Sequence, residues 1–492
     1  MSDERRSWLR FRWDAVTFIV LLAIFLVRAT ELAIDVMPGV PPDERVHVER
    51  CALYAATWGL PSDGAETRSI GPIEHHPYLY YLLMGRLLPL NPLPNQLLFL
   101  RLVNVIFGAL TVAVAWRWLM LFTNHAGARI LAIVMLTSTL MFRGMSSAVS
   151  YDALTNLLAA AAIFCATRYG VRQQPADLVG LALAALAGCL VKQTFLPLAA
   201  LLLGILLWHE RRALPALLSA PFRGSASSPL RFACLLATGI LLLLNGILYG
   251  GNLIRFGALL PPEVWELSNA EFAAMPIDGC TRVRPAAAPL CVTRLYRSGR
   301  IGLEEAFRLA NAIPDPLSRR DTLILVRRHA TREAKGAEFS PISRLEYAYD
   351  WSRGMVNRSH GYLGHRVVGR SRTDIARYFL VFLGAAVGFV RRWQPTDRLG
   401  TDAFVLVAGY ALFLMQVVNY TDYVLWEEIY MNVQGRYIFP VIVPLYGLIA
   451  RSLLVGWPIA LQVPVFLATA TWMLFADLFF YLDKVAPSIV GG

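Results

Sequence analysis

The segment Pro-Pro-Asp-Glu-Arg-Val-His at residues 41–47 is the first part of the chain that could carry chemistry. Asp43 and His47 are four residues apart, so on a helix they share one face. A carboxylate held there can act as a general base towards a hydroxyl, or it can ligate a hard divalent cation. The alternative is structural, because two prolines and an acidic first turn also make a well-capped helix start. With only one histidine, the segment is not a zinc-protease motif.

His75 and His76 open a second candidate segment, His-His-Pro-Tyr-Leu-Tyr-Tyr-Leu-Leu at 75–83. Its aromatic and leucine positions predict an amphipathic helix that lies in the membrane interface. Tyrosines in such a helix, Tyr80 among them, are either belt residues at the lipid–water boundary or contacts to a substrate. The paired histidines stand at the start of the helix, where backbone N–H groups favour anions.

Three more charged residues lie where long apolar runs begin or end. Asp152 either caps a helix or completes a cation site with Asp43. Lys192 either reaches towards lipid headgroups or binds a phosphate as a compact point charge. Arg436 follows Gln-Gly and precedes Tyr437, and arginine suits the forked recognition of phosphate oxygens.

The composition places these residues in a membrane protein. Of the 492 residues, 56% are hydrophobic and 16% are charged, whereas a typical soluble domain is about 25% charged. This excludes an ordinary soluble enzyme, a disordered chain and a nucleic-acid-binding domain. The formal net charge of +12 does not indicate DNA, because cytoplasmic loops of membrane proteins carry the same excess of Lys and Arg.

The fold class that follows is an all-α polytopic membrane protein, with interfacial helices in the first outer loop and a small extracytoplasmic loop domain. Apolar runs of about 20 residues can cross a bilayer as helices. Eleven such runs lie at 14–34, 97–121, 127–146, 150–168, 177–192, 194–209, 230–250, 375–391, 402–420, 437–455 and 457–482. The first run follows several arginines and resembles a signal peptide. We favour an uncleaved span, because the best motif comes directly after it and would otherwise lie in a mobile terminus.

Positive charges give the orientation. A cytoplasmic N-terminus and eleven crossings place 35–96, 251–374 and the C-terminus on the opposite side. In a bacterium this means a multi-pass protein of the inner membrane with its site on the periplasmic or extracellular face. The polar candidates that then share that side are Asp43, His76, Asp152, Lys192 and Arg436. Acids beside bases in one leaflet fit a site that binds a lipid phosphate and activates a hydroxyl.

The long loop 251–374 mixes predicted helices at 301–311 and 317–335 with Pro and Gly breaks, so we expect a small domain. Its Cys280 and Cys291 lie on the oxidising side, where they either pair or stay as two free thiols. The chain thus divides into an N-terminal transmembrane part at 1–250 with the catalytic first outer loop at 35–96, the loop domain at 251–374, and C-terminal transmembrane helices at 375–492.

These motifs resemble a known superfamily. An Asp-Glu pair in the first outer loop, followed by a His-Pro-x-x-Tyr-Tyr helix, resembles the GT-C membrane glycosyltransferases, which include protein mannosyltransferases, aminoarabinose transferases and oligosaccharyltransferases. Pro-Pro-Asp-Glu-x-x-His with a late Gln-Gly-Arg-Tyr-x-x-Pro is similar to an uncharacterised bacterial branch of that superfamily.

The resemblance implies a donor sugar linked to a polyprenyl phosphate and an acceptor hydroxyl on a glycan, a lipid or a protein. Asp43 would be the general base of an inverting transfer, and Glu44 would orient the acceptor or share a cation. A divalent cation, Mg²⁺ or Mn²⁺, would bridge Asp43 and Asp152. The implied substrate contacts are His47, His75, His76, Tyr80, Lys192, Arg436 and Tyr437, with Lys192 and Arg436 on the leaving phosphate. Acceptor contacts are expected in the segment 359–365.

Two other classes compete with an enzyme. A transporter or flippase of lipid-linked saccharides predicts inverted repeats and helices broken at mid-membrane. The sequence shows no repeat, and its polar groups gather at one face. The second alternative is a non-enzymatic subunit of an assembly.

Overall fold

The computed structural model describes most of the chain. The described residues are 3–62, 67, 70, 73–211, 229–259, 276–281, 288–314, 316–336, 339–361, 370–394, 396–427, 429 and 433–489. They form helices joined by turns. The helices are α1 Asp3–Asp35, α2 Glu44–Ala56, α3 Leu79–Leu87, α4 Gln96–Phe122, α5 Ala126–Ser138, α6 Leu140–Ser146, α7 Tyr151–Arg172, α8 Pro175–Val191, α9 Phe195–Glu210, α10 Pro229–Asn245, α11 Ala288–Arg297, α12 Leu303–Ala312, α13 Pro316–Ala334, α14 Arg344–Gly361, α15 Arg372–Arg392, α16 Arg398–Phe413, α17 Ile442–Val455 and α18 Ile459–Phe480.

Several helices are extended by tighter or wider turns. These are Leu88–Leu90 after α3, Gly246–Gly250 and Gly251–Phe256 after α10, Leu414–Asn419 and Tyr420–Trp426 after α16, Gly435–Val441 before α17, and Tyr481–Val485 with Ala486–Ile489 after α18. The all-helical class predicted from the sequence is confirmed. Helices also lie in the first outer loop and in the long loop, as predicted.

Each of the eleven predicted apolar runs is helical, but the number of spans is smaller by length. Among the described residues, eight helices are long and apolar enough to cross a membrane, and the bent pair α5–α6 makes nine. The difference lies in α8 and α9, which have 17 and 16 residues and fall short of the roughly 20 that a full crossing needs. The chain is a multi-pass membrane protein, and the count of eleven spans stays a prediction.

The helix termini lie in two groups, one at each end of the bundle, and contacts between termini show which ones lie together. At one end, which we term the basic end, Asp14 of α1 pairs with Arg129 of α5, and His209 of α9 lies 2.7 Å from Asp402 of α16. At the other, which we term the motif end, α1 finishes beside residues 41–47. The helix termini at the basic end carry Arg129, Arg168, Arg172, Arg211, Arg391, Arg392, Arg398 and Arg451. This sorting of charge supports a cytoplasmic basic end.

A buried ion pair fixes the first outer loop to the bundle at the motif end. Arg101 of α4 donates from Nε to Glu44 Oε1 at 2.8 Å and from Nη2 to Oε2 at 2.6 Å. Its Nη1 donates to the carbonyls of Ala33 and Val36 at the end of α1. Glu44 Oε1 also accepts from the backbone N–H of Val149. One pair therefore joins α1, α2, α4 and the turn before α7.

The long loop has a core of its own. Its buried apolar residues are Cys280, Ala288, Cys291, Val292, Leu295, Ile301, Ala306, Leu309, Ile313 and Val326. Cys280 and Cys291, which the sequence left open, form a disulfide. Glu427, after the extension of α16, anchors this part by pairing with Arg332 and by accepting at its carbonyl from Arg328 at 2.9 Å. The separate core at 280–326 supports a small domain within the proposed 251–374, whereas Tyr347, Trp351 and Met355 pack into the core of the bundle.

Because the Glu44–Arg101 pair is buried, we expect the loss of one charge to destabilise the protein strongly. In Glu44→Gln the buried guanidinium loses its charged partner, and breaking one side of such a pair costs about 3–5 kcal/mol. We expect a clear drop in the apparent melting temperature in detergent. The matched control is Glu49→Gln, because Glu49 pairs with the exposed Arg45 on the same helix. Equal melting temperatures for the two variants would contradict this role of Glu44.

Candidate active site

Asp43 stands immediately before α2 in an unusual backbone conformation. Its φ is 59°, in the left-handed region, which residues other than glycine rarely adopt and which costs free energy unless the surroundings enforce it. Pro41 and Pro42 are buried before it, and its carbonyl accepts from the backbone N–H of His47 at 3.0 Å. The side chain is 47% exposed. The chain thus holds this carboxylate at the surface of the motif end.

Arg436 lies between two carboxylates that come from distant parts of the chain. Its Nη2 donates to Asp43 Oδ2 at 3.0 Å, and its Nη1 is 3.4 Å from Asp152 Oδ2. The side chain is only 2% exposed. The glycine before it allows this position, since a Cβ on Gly435 would be 2.5 Å from the backbone nitrogen of Ser359. In the Gln-Gly-Arg motif, the glycine therefore allows close backbone packing, and the arginine extends its guanidinium between the two carboxylates.

Lys192 completes the arrangement from the other side of Asp152. Its Nζ donates to Asp152 Oδ1 at 2.5 Å. The ammonium lies 4.7 Å from the ring centroid of Tyr151 and 5.0 Å from that of Tyr437, so two aromatic faces hold the cation. Lys192 directly follows α8, and α9 begins three residues later, which places this charge at the motif end as the sequence predicted.

Asp43, Asp152, Lys192 and Arg436 form what we term the charge cluster. Two acids face two bases, and only Asp43 is substantially exposed, since the other three side chains are at most 6% exposed. Among the described residues, Nε and Nη1 of Arg436 are buried and meet no hydrogen-bond acceptor, so both donors of the guanidinium are available to a further anion that enters the cluster. The cluster can present cationic donors to an oxyanion beside a carboxylate that is open to a second reactant.

The predicted cation site does not fit this geometry. Arg436 stands where an ion bridging Asp43 and Asp152 would have to sit, and Lys192 takes the second oxygen of Asp152. A divalent ion would also meet two cations, which oppose its charge. In the part of the chain that the structure describes, no three acidic, His or Cys side chains are grouped to hold a metal. In this structure Arg436 rather than a metal ion lies between Asp43 and Asp152, and the predicted cation stays a prediction.

His47 shares the face of α2 that begins at Asp43, as the spacing predicted. Its Nδ1 lies 2.8 Å from the hydroxyl of Tyr81, and its ring meets the edge of Tyr151 at a centroid distance of 4.7 Å. Burial lowers the pKa of His47 to about 3, although the nearby Asp43 opposes the shift. Its Nε2 has no hydrogen-bond partner among the described residues. His47 is therefore a neutral hydrogen-bonding group beside the charge cluster.

Other predicted residues lie elsewhere. Both oxygens of Glu44 bind Arg101, and this contact holds the first outer loop against the bundle. The hydroxyl of Tyr80 accepts from Asn104 Nδ2 at 2.9 Å in the core. It is Tyr81, its neighbour, that reaches His47.

The two histidines before α3 are held by different surroundings. His75 Nε2 lies 3.3 Å from Arg255 Nη1, and its ring packs against the edge of Phe256, at the end of the α10 extension. His76 is buried, and its backbone N–H donates to the carbonyl of Ile73 at 3.4 Å. Neither geometry supplies a reason to assign a substrate contact to these side chains.

The segment 359–365 is described only in part, because 362–365 lie outside the described residues. His360 is buried, stacks on Tyr378 at 3.9 Å and lies 3.4 Å from Asp477. Asp477 also pairs with Arg370. His360 is thus part of a network that ties the end of α14 to α15 and α18, rather than a free acceptor contact.

Arg101 and Asn104 of α4, and Tyr151 of α7, contact predicted site residues but were not predicted themselves, although the sequence contains a signal for them. Arg101 and Asn104 are polar residues inside the apolar run 97–121, and such residues in a span are functional or structural candidates by default. Tyr151 is next to Asp152 in the sequence, but its ring contacts with Lys192 and His47 depend on the fold.

Two of the solved structures to which this chain is similar are crystal structures of ArnT, both at low similarity. The crystal structure of ArnT from Cupriavidus metallidurans in the apo state is 12% identical, with a TM-score of 0.36, and the alignment covers 89% of this chain and 78% of that one. ArnT from the same organism bound to undecaprenyl phosphate is 10% identical, with a TM-score of 0.33, covering 95% and 88%. Similarity at this level says nothing about what this chain binds. No curated protein sequence matches the chain.

Residues 76–242, about a third of the chain, match the sequence profile of the family described as dolichyl-phosphate-mannose-protein mannosyltransferase. The matched part includes α3, α4, Asp152 and Lys192. This is one of the families to which the motifs pointed independently. The match agrees, over that third of the chain, with the resemblance drawn from the motifs, and the described helices make the chain a polytopic membrane protein.

Proposed function

We propose that this protein transfers a sugar from a polyprenyl-phosphate-linked donor to an acceptor hydroxyl at the motif end of the bundle. The observation that carries the proposal is the charge cluster, in which Arg436 connects an exposed carboxylate to a buried Asp152–Lys192 pair. The profile matched by residues 76–242 describes proteins that use a lipid-phosphate-linked sugar. The resemblance suggests the same donor class here.

In the proposed reaction, Asp43 takes the proton of the acceptor hydroxyl, and the acceptor oxygen attacks the anomeric carbon with inversion. The bond from that carbon to the phosphate oxygen breaks, and the lipid phosphate leaves with the bonding electrons. Lys192 and Arg436 stabilise the charge that develops on this phosphate. Preorganised donors of this kind usually supply the largest part of catalysis.

Arg436 links the two halves of the reaction. In the structure it pairs with Asp43, which weakens that carboxylate as a proton acceptor. A donor phosphate competes for the same guanidinium, because arginine recognises phosphate at least as well as carboxylate. Donor binding then draws Arg436 away from Asp43 and leaves the carboxylate free to accept a proton. Asp43 becomes an effective base only when the donor is present.

We place the reaction on the outer face of a bacterial inner membrane. The arginines gathered at the basic end support a cytoplasmic basic end, which puts the charge cluster outside. The Cys280–Cys291 disulfide supports the same orientation, because disulfides persist in oxidising compartments. A glycan, a lipid or a protein is the acceptor class.

The alternative function is a transporter or flippase of lipid-linked saccharides. One observation favours it, because α5 and α6 form a helix pair bent by 64°, and transporters place their sites at broken helices. The acids and bases of the charge cluster lie instead at the helix termini of the motif end. Transfer of label to an acceptor, without movement of intact donor across the membrane, separates the two functions.

Asp43→Asn tests the proposed base. An amide cannot accept the proton, so we expect transfer to fall by about 10²- to 10⁴-fold. The assay uses proteoliposomes with undecaprenyl-phosphate-linked mannose, glucose or aminoarabinose and measures labelled product. Asp35→Asn is the matched control, since Asp35 is an exposed acid at the same end. Normal turnover by Asp43→Asn would remove Asp43 as the base.

Lys192→Gln and Arg436→Gln test the phosphate contacts. We expect the KM for the donor to rise and kcat to fall by about 10²- to 10³-fold, while the KM for the acceptor changes little. Size-exclusion chromatography and melting temperature verify that each variant folds, and Arg45→Gln provides an exposed arginine control. Equal effects on donor and acceptor would argue against phosphate binding by these residues.

A chelator tests the cation predicted between Asp43 and Asp152. Since a guanidinium bridges Asp43 and Asp152, we expect the transfer rate to be unchanged in excess EDTA. Inactivation by EDTA that Mg²⁺ or Mn²⁺ reverses would contradict the guanidinium bridge and restore the metal site.

A further inference from the structure

A crevice of about 1410 Å³ opens between the first turn of α15 and the last turns of α18. Asp374 and Arg377 line it from α15, and α18 contributes Leu467, Trp472, Phe475 and Phe479. Sites for drug-sized ligands usually have volumes of about 300–1,000 Å³. The crevice is therefore large enough for a molecule with long chains, and no residue of the charge cluster lines it.

One wall of the crevice is apolar and belongs to a membrane-spanning helix. Leu467, Phe475 and Phe479 are 56%, 48% and 62% exposed. At about 100° per residue, Phe475 and Phe479 lie about 80° and 120° around the helix from Leu467, so the three side chains share one broad side of α18. Within Ile459–Val485, which is long and apolar enough to span the membrane, such a face meets hydrocarbon. The wall therefore fits acyl chains rather than a soluble ligand.

The crevice is polar at one end, where it carries two ion pairs. Arg377 Nη1 lies 3.3 Å from Asp374 Oδ1, and Lys484 Nζ lies 3.1 Å from Asp483 Oδ2. The Lys484–Asp483 pair is largely exposed, whereas Asp374 is 25% exposed and also accepts from Ser371 Oγ at 2.8 Å. Pairs open to solvent are weak enough for a headgroup to open them. The fifth charged lining residue, Arg370, is buried against Asp477. The other four charged lining residues thus balance as two cations and two anions.

The polar end lies at the motif end of the bundle. Phe480, Tyr481 and Val485 after the apolar wall pack with Val36 and Val40, which precede Asp43. A lipid in the crevice would therefore have its headgroup at the same membrane face as the charge cluster and its chains along α18. Its headgroup would lie at a level where phospholipid headgroups are already present.

We propose that this crevice binds a two-chain zwitterionic phospholipid of the phosphatidylethanolamine type. Its phosphate takes Arg377 and Lys484, its ammonium takes Asp374 and Asp483, and its acyl chains cover the apolar wall of α18. The two acids disfavour a purely anionic head such as phosphatidylglycerol or a polyprenyl phosphate, because like charges repel. This site is additional to the proposed glycosyl transfer and does not depend on it.

Native mass spectrometry of the full chain in detergent tests the proposal without any catalytic assay. Equal amounts of deuterated phosphatidylethanolamine, phosphatidylglycerol and undecaprenyl phosphate are added. Ala468→Trp fills the crevice from an exposed lining position, and Arg377→Gln with Lys484→Gln removes the phosphate contacts. The matched controls are Ala460→Trp on the same helix and Arg392→Gln at the other end of α15, both exposed and outside the lining.

We expect one phosphatidylethanolamine to stay bound to the wild type and to both controls, and its retention to fall at least tenfold in the two crevice variants. Asp374→Asn with Asp483→Asn should shift the preference to phosphatidylglycerol, because the site then has a net positive charge. Equal retention by Ala468→Trp and Ala460→Trp would overturn the site. Preferred retention of phosphatidylglycerol or undecaprenyl phosphate by the wild type would overturn the headgroup assignment.

Discussion

The arrangement at the motif end depends on one side chain, Arg436, held between Asp43 and Asp152. Two carboxylates from distant segments would repel each other without a cation between them. Because the guanidinium is planar and carries several donors, it can bind both acids and still keep Nε for another anion. The left-handed backbone of Asp43, the close approach of Gly435 to Ser359 and the position of Lys192 all fit around this bridge.

The sequence predicted the helical architecture well because long apolar runs leave few other structures possible in a membrane. It also predicted that Asp43, Asp152, Lys192 and Arg436 share one end, because helix order alone decides which termini meet. The sequence could not predict which cation lies between which acids, because that depends on how far each side chain extends from its helix towards the next. Spacing identified Asp43 and Asp152 as a candidate cation site, but it did not show that Arg436 lies between them.

Neighbouring residues with similar chemistry were the hardest to separate. Asp43 and Glu44 are adjacent acids, yet one is half exposed and the other is buried against Arg101. Tyr80 and Tyr81 are adjacent tyrosines, yet one bonds Asn104 and the other His47. Consecutive residues on a helix point about 100° apart, so a shift of one position decides between core and site. Composition and motif spacing cannot resolve this choice, whereas the packing of α2 and α3 against α4 does.

The shortness of α8 and α9 has a consequence for the surrounding lipid. With 17 and 16 residues, at 1.5 Å per residue they reach about 25 Å, less than the roughly 30 Å of a typical hydrocarbon core. A bilayer meets such hydrophobic mismatch by thinning locally. Because Lys192 lies where α8 ends and α9 is about to begin, the thinnest part of the membrane is expected beside the ammonium group. The phosphate of a long-chain lipid is then closer to the Lys192 ammonium group while it stays at the membrane surface.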